Sequence, residues 1–410
     1  MRIAFFTDIF LEVPGGIPSS IKAQQIALES LGHQVTIFCP GWRQLPKHQH
    51  IVVIPTHRFL RPNKAPLAKK PEEIIKFIKK LYPDFANSFD LIHVHYEASC
   101  SIAGVKLAKA NHLKLVQTMH GREDIAIDTN VPFPIKYPVA FILNSLHRIK
   151  LSSIYTKPVL LQKDHCLIKN SVQKNMWELM VRQARIADLV ISPSKHFAKN
   201  LEHYKAAKKV YVVSNGIDDQ QVQQYIFHTR NFNSNTPLHI IWSSRVSKEK
   251  RILPFLESIA NSKNLKKIKL TIIGNGNQLQ EAKIYAKMHF SKKQVIFLGQ
   301  VPHEKIFKYL QNGHLSIINS YGFDTQGMTI LEATACGLPV LYADPAMDEV
   351  VPKGGGIRAK DQSITAMTES IDYVFNHPEL IQKMSQNMLK ARQSVLESTQ
   401  IKRLLELYQK

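Results

Sequence analysis

Short apolar runs and stretches of helical spacing alternate along most of the chain. Residues 2–6 (RIAFF) form a strand-type run; 18–31 set Ile21, Ile26, Ala27 and Leu31 at helical spacing before Gly32; 34–38 alternate as a second strand. This βαβ opening predicts a parallel sheet. Further strands are expected at 51–54, 91–94, 114–118, 189–191 and 210–213, with helices over 101–110 and from 195. The polar stretch 227–237 has no apolar period and reads as a linker. A second βα series follows: strands at 238–242, 270–273, 295–298 and 315–318, helices over 303–311 and 328–336, and a return strand after Gly337. Helical stretches near 362–375, 378–393 and 397–409 come after it. The fold class expected is α/β, with two doubly wound, Rossmann-like domains.

Length agrees, since 410 residues suit two domains better than one core. With 44% hydrophobic and 21% charged residues, the composition is that of a globular protein. Cys39, Cys100, Cys166 and Cys336 are widely separated and form no CxxC pair, which points to reduced thiols and a cytoplasmic setting. MRIAFFTDIF reads as a first strand and not as a signal peptide, and no window approaches the ~20 apolar residues of a membrane span.

Charge changes the picture. A net charge of +22 implies an anionic partner, either nucleic acid or acidic lipid. Zinc-finger spacing, an RNP-type aromatic run and a basic-region heptad are all missing, so nucleic acid is not expected. Basic residues gather in 58–82, where Arg58, Arg61, Lys64, Lys69, Lys70, Lys76, Lys79 and Lys80 flank Ile74, Ile75, Phe77, Ile78 and Leu81. Such a segment is either an ordinary surface helix or an amphipathic one pressing on an anionic leaflet, with Phe59, Phe77 and Ile78 adding apolar contact. In 131–176, Phe133, Tyr137, Phe141, Ile142 and Leu146 mix with Lys136, Arg148 and Lys150. That pattern fits an interfacial or acceptor-facing segment, or equally a pair of core helices with basic outer faces.

Candidate chemistry centres on 319–341, NSYGFDTQGMTILEATACGLPVL. A strand leads through a polar turn into a helix N-terminus, whose unpaired N–H groups suit a phosphate. Gly327 opens the backbone to a ligand, with Met328 and Thr329 beginning the helix. Asp324 and Glu332, eight residues apart, can face one ligand from the turn and the helix. A nucleotide sugar fits: hydroxyl groups for the acids and a diphosphate for the helix terminus. Upstream, Arg245 and Lys250 follow a strand end, as either a solvated cluster or a cationic pair for that diphosphate. Gly15-Gly16 lies in the first βα loop, where a doubly wound sheet keeps its crevice. His120 follows the strand 114–118. His93 and His95 point the same way, but no third ligand is spaced to make a metal site with them, and no DxD pair is present.

These motifs carry a resemblance. The 319–341 stretch resembles the acid-x7-acid motif of glycosyltransferase family 4, retaining enzymes of the GT-B fold, with Asp324 where Glu is usual. Its TQG turn and LEA helix are similar to the subgroup that glycosylates membrane diacylglycerols. FLEVPGGIPSSI resembles the glycine loop of phosphatidylinositol mannosyltransferases. SSRVSKEKR resembles the family's GRxxxxKG, with Ser244 and Arg251 in place of glycines, and SNGID resembles its PNGVD turn.

The resemblance implies two domains facing across a cleft: an acceptor-side domain 1–215, a donor-side domain 216–396, and a helix 397–410 crossing back to the first. It implies Arg245 and Lys250 on the donor diphosphate, and Asp324 and His120 on the sugar. Glu332 would hold the ribose, with Gly15, Gly16, Gly274, Leu298, Gly327, Met328 and Thr329 lining the donor. The expected reaction is retaining hexosyl transfer from a nucleotide diphosphate sugar, UDP-linked in the first place, without metal or other cofactor. The acceptor would be a glycolipid precursor at the inner face of a membrane, reached through Lys69, Lys70, Lys76, Lys79 and Lys80. A polysaccharide, glycan or protein acceptor stays open, as does a catalytically weak GT-B protein used for binding.

Overall fold

A computed structural model describes residues 1–13, 15–41, 50–57, 66–164 and 167–410. Pro14, Phe59 with the other residues of 58–65, and Cys166 lie outside the described residues. Two compact units divide the chain, residues 1–214 with 401–410, and residues 215–400.

The first unit holds β1 (Arg2–Phe6), β2 (Gln34–Cys39), β3 (Ile51–Val53), β4 (Leu91–Val94), β5 (Lys114–Thr118), β6 (Leu189–Ser192) and β7 (Val210–Val212). Their order is β3-β2-β1-β4-β5-β6-β7, with every pairing parallel. A parallel strand covered on both faces is apolar on both, and β1 shows why its run does not alternate. Ile3 and Phe5 pack with Ile21 and Leu28 of the helix Gly16–Ser30. Ala4 and Phe6 pack on the other side with Ile102 and Val105 of the helix Ser99–Ala110.

The second unit holds β8 (Leu238–Ser243), β9 (Ile268–Ile273), β10 (Val295–Gly299), β11 (Leu315–Ile318), β12 (Val340–Tyr342) and β13 (Gly356–Arg358), ordered β10-β9-β8-β11-β12-β13. All pairings are again parallel. Strand order reverses between β1 and β4 in one sheet and between β8 and β11 in the other. Ligand crevices of doubly wound sheets open at such reversals, beyond the carboxyl ends of the strands.

Several expectations change. The stretch 227–237 lacks regular structure but is not a free tether. Phe227 and Phe232 are buried, and Arg230 donates to the Cys336 carbonyl at 2.9 Å while its own N–H donates to Ser385 Oγ at 2.8 Å. The 303–311 helix is a 3-10 turn His303–Lys305 followed by a short helix Ile306–Leu310. In the helix Pro71–Leu81, Ile74 and Ile78 are both 0% exposed, packed into the first unit's core. Ile78 therefore cannot supply apolar contact to a membrane, and Phe77 is half-buried against the same core. Lys70, Lys76, Lys79 and Lys80 do face solvent, while Lys69 pairs with Glu73 at 2.9 Å.

The helix Glu397–Tyr408 ends in the first unit, where Ile401, Leu404, Leu407 and Tyr408 join the cluster around Ile3 and Phe5. Lys114 Nζ donates to the carbonyls of Leu407 and Tyr408 at 3.1 and 2.9 Å, and Tyr408 Oη lies 2.6 Å from His93 Nδ1. Cys39, Cys100 and Cys336 are buried free thiols.

Candidate functional site

In the second unit the loop after β8 is moulded by its neighbour after β9. Val246 N–H donates to the Asn275 carbonyl, and Gln278 N–H donates to the Val246 carbonyl, both at 3.0 Å. Gly274 makes this close approach possible. Its φ is +134°, and a Cβ there would stand 1.9 Å from the Ser244 oxygen. Glycine at 274 is thus demanded by the protein's own backbone, which holds the loop carrying Arg245 and Lys250.

That loop makes a 3-10 turn, Lys248–Lys250, and ends at Arg251 in the left-handed region, φ 57° and ψ 42°. Glycine adopts this conformation freely and arginine does not. The Arg251 guanidinium donates to the Gln362 carbonyl at 2.6 Å, and its own carbonyl accepts from Asn319 Nδ2 at 2.9 Å. Arg245, 59% exposed along its side chain, lies 3.1 Å from the buried Glu249 carboxylate, which also accepts from Ser247 Oγ at 2.7 Å.

Across the strand reversal, the loop after β11 meets this one. Lys250 Nζ donates to Asp324 Oδ1, and Ser320 Oγ donates to Asp324 Oδ2. Burial alone would raise the Asp324 carboxyl. The charge and hydrogen bond of Lys250, helped by Ser320 and Arg245, outweigh it and hold the carboxyl below its ordinary value. Phe323 serves both cations, with its ring centre 5.0 Å from Lys250 Nζ and 5.8 Å from Arg245 Cζ.

Gly327 then caps the helix Met328–Cys336 in the left-handed region, φ +74°. Thr329 Oγ1 donates to the Ser243 carbonyl at 3.0 Å, tying the helix start to the end of β8. Met328 is half-buried beside it. One turn in, the buried Glu332 carboxylate lies 2.9 Å from His303 Nε2. Leu298, at the end of β10, is 36% exposed. The second unit therefore brings together Arg245, Lys250, Asp324 and the 327–329 turn, with Glu332 just behind.

His120, Gly15 and Gly16 belong to the first unit. His120 Nε2 lies 3.0 Å from His95 Nδ1, and burial pushes the His120 pKa down to about 4. Burial likewise holds His93 and His95 well below the usual histidine range, so the three rings are neutral near pH 7. Gly15 is extended, φ 172°, and a Cβ there would make only ordinary contact with Pro18 at 3.6 Å. The fold itself does not require glycine at 15. At the reversal between β1 and β4, Asp8 accepts N–H bonds from Ala98, Cys100 and Ser101 at 3.2, 2.7 and 3.0 Å. A protein carboxylate thus occupies that helix N-terminus.

The cations and the acid pair stand in recognisable motifs, whereas their supports do not announce themselves. Glu249 and Ser320 lie within the two motif stretches without a role of their own in them, His303 lies outside both, and Asp8 caps a helix some 90 positions away. Phe323 stands in the motif turn directly before Asp324, and that adjacency is the available signal. Among the described residues, no group of three or more His, Cys, Asp or Glu is arranged to hold a metal, and no helix is long and apolar enough to cross a membrane.

Residues 14–221 match the family model described as Glycosyltransferase Family 4, and 225–391 match Glycosyl transferases group 1. An alpha-monoglucosyldiacylglycerol synthase of Acholeplasma laidlawii is 24% identical over 397 residues, 94% of this chain and 91% of that protein. The synthase of the same name from Streptococcus pneumoniae is 24% identical over 364 residues, covering 86% and 73%. Among solved structures, Anabaena HepE in complex with UDP is similar over 100% of both chains at 15% identity, with a TM-score of 0.68. Staphylococcus aureus TarM is similar over the same shares at 10% identity, with a TM-score of 0.69. At these identities the structural likeness shows the fold, GT-B, with its two parallel-sheet units.

Proposed function

The chain belongs to glycosyltransferase family 4, and from that premise we propose that it moves a hexose from a UDP-sugar to a glycolipid precursor, with retention of anomeric configuration. The observation that carries this reading is the meeting of Lys250, Asp324, Phe323 and Arg245 beside the start of the helix Met328–Cys336. Two cations and a helix N-terminus there suit a diphosphate, and a buried acid one turn further suits ribose hydroxyls.

In the proposed step, the bond from the sugar's anomeric carbon to the diphosphate oxygen breaks. A bond to the acceptor oxygen forms on the same face, and the acceptor's proton passes to the leaving phosphate. Arg245, Lys250 and the amides after Gly327 stabilise the charge that develops on the diphosphate, which is the charge a catalyst gains most by meeting. Asp324 contacts the sugar, and Glu332 holds the ribose. These cations do the work a divalent ion does elsewhere, so no metal is required.

The acceptor class is supported by the two synthases named for monoglucosyldiacylglycerol, and the donor by the UDP complex of HepE. Attachment is peripheral, from the cytoplasmic side, and the net charge of +22 favours an anionic leaflet. The test is nucleotide release from a panel of UDP- and GDP-sugars, with and without anionic liposomes containing diacylglycerol or its monoglycosylated form. Lipid-dependent release of UDP is expected. Release that ignores lipid, or none with any donor, overturns the reading.

A further inference from the structure

The helix Lys136–Leu151 is built inside out. Its buried positions are Ala140, Asn144, His147 and Leu151, so its inward stripe is half polar. Those polar groups are fully engaged with the helix Ser171–Ala184. Asn144 Nδ2 donates to Asn175 Oδ1 and Glu178 Oε2, both at 3.0 Å, and Arg182 Nη2 donates to Asn144 Oδ1 at 2.9 Å. Arg182 also donates to His147 Nδ1 at 3.1 Å, which leaves His147 Nε2 to donate to Gln183 Oε1, also at 3.1 Å. An arginine has no acceptor to offer, so this tautomer follows.

The outward surface is correspondingly apolar. Phe133 is 76% exposed, Phe141 62% and Ile149 63%, and Ile135, Tyr137, Ile142, Leu143 and Leu146 are exposed between them. A contiguous apolar face of this kind on a folded protein marks an interaction surface. Its charge says what kind. From 129 to 163 the sequence contains no Asp or Glu, while it contains Lys136, Arg148, Lys150, Lys157 and Lys163. Arg148, Lys157 and Lys163 are exposed.

We infer that this face inserts into an anionic bilayer, the helix lying in the interface with its apolar side chains about 5–10 Å deep and its basic residues at the headgroups. The inference rests on the lipid acceptor proposed above and goes beyond it by naming the docking face. It also divides the labour within the first unit. The lysines of the helix Pro71–Leu81 attract the surface electrostatically, because that helix has already spent Ile74 and Ile78 on the core. The 136–151 helix supplies the apolar grip.

The test is flotation with phosphatidylglycerol and phosphatidylcholine vesicles at low salt and in 1 M NaCl, on wild type and on the triple variant Phe141→Ser, Ile142→Ser, Ile149→Ser. All three side chains are exposed, so the variant keeps its melting temperature. Vesicle affinity should drop on the order of tenfold or more in the variant. In wild type, part of the binding to phosphatidylglycerol should survive 1 M NaCl, because salt screens charge and not burial. In the variant Phe141→Trp, the added fluorescence should shift to the blue on binding and be quenched by brominated lipid.

Turnover on a short-chain, water-soluble diacylglycerol should be equal in wild type and variant, while turnover on the vesicle-borne acceptor falls. If the variant floats as wild type does, the docking face is wrong whatever the activity. If wild type is a dimer that the triple variant converts to monomer, with no change in flotation, the face is a self-association surface and the inference is overturned. Strong, variant-sensitive flotation with no transfer to any lipid would keep the docking face and sink the proposed activity.

Discussion

Lys250 donates to the carboxylate of Asp324, so two residues expected on different parts of the donor are bonded to each other. The bond joins the ends of β8 and β11 across the strand reversal. Asp324 is a short acid where the family pattern has a longer one, and here its length suffices to reach both Lys250 and Ser320. On the proposed reading, a diphosphate competes with Asp324 for the lysine and so releases the carboxylate toward the sugar. Lys250→Ala, Arg245→Ala and Asp324→Ala should each lower turnover by roughly 10² or more. The Lys250/Asp324 double variant should lose less than the sum, because the residues share one interaction. Strictly additive losses in the nucleotide-release assay would separate the ion pair from catalysis.

Glu332 depends on His303. Glu332→Ala should cost on the order of 2–4 kcal/mol in transition-state stabilisation, through lost charge-assisted bonds to the donor. His303→Ala removes only the group that orients the acid. Its expected effect is a donor KM several-fold higher with kcat little changed, readable from steady-state kinetics. Equal damage from both variants would place His303 on the donor itself.

Arg251 is held in a backbone conformation that disfavours side chains. Replacing it by glycine and by alanine removes the same guanidinium bond to Gln362, so the pair isolates the backbone. Arg251→Gly should be more stable than Arg251→Ala by about 1 kcal/mol in urea unfolding. Equal stabilities would show that the left-handed turn carries no strain.

Gly274 and Gly15 should respond in opposite ways to alanine. At 274 the new Cβ collides with the Ser244 carbonyl, and destabilisation of roughly 2–4 kcal/mol is expected, with the cationic loop displaced. At 15 the Cβ has room, so the melting temperature should hold while donor affinity falls. A Gly15→Ala enzyme with unaltered donor KM would remove that loop from the binding site.

Buried neutral histidines give the first unit a pH dependence with a definite sign. His120 has a folded-state pKa of about 4 against 6.5 when unfolded, so between those values the unfolded chain binds the extra proton. Its contribution is full above 6.5 and is lost as pH falls toward 4. Glu97, raised well above its ordinary value by burial and by Glu123 and Asp8, acts in the opposite sense, so the whole-protein curve mixes the two. The difference between wild type and His120→Gln isolates the histidine. That difference should move against wild type by roughly 2 kcal/mol from pH 7 to pH 5. A constant difference in urea unfolding would contradict burial of a neutral His120.

Most of the scaffold could be read from the chain because parallel strands are continuous apolar runs. β1, β4, β5 and β11, and the helix Met328–Cys336, have the bounds their runs imply. The acid pair and the cations were legible for a related reason: each follows a strand end, where a doubly wound sheet opens. Their supports were not, since Glu332 meets His303 across 29 positions and Asp8 meets Cys100 across 92. The 136–151 helix defeated the pattern most fully. Pro138 falls in its first turn, where no intrahelical N–H bond is lost, so the helix survives a residue that argues against it. Apolar periodicity also assumes that apolar means buried, and there Asn144 and His147 are inside while Phe141 is out.

Residues 401–410 make the first unit discontinuous in sequence, and that gives its folding an order. β1 is made well before the second unit, yet the side chains that close over Ile3 and Phe5 include Ile401, Leu404 and Leu407, made some four hundred residues later. Until they emerge, the first unit exposes an apolar seam and lacks the Tyr408 hydroxyl that meets His93. The second unit, contiguous over 215–400, has all of its own chain by then. The domain that starts first is therefore the one that finishes last, and a nascent chain stalled before 401 carries an open core that chaperones must shield.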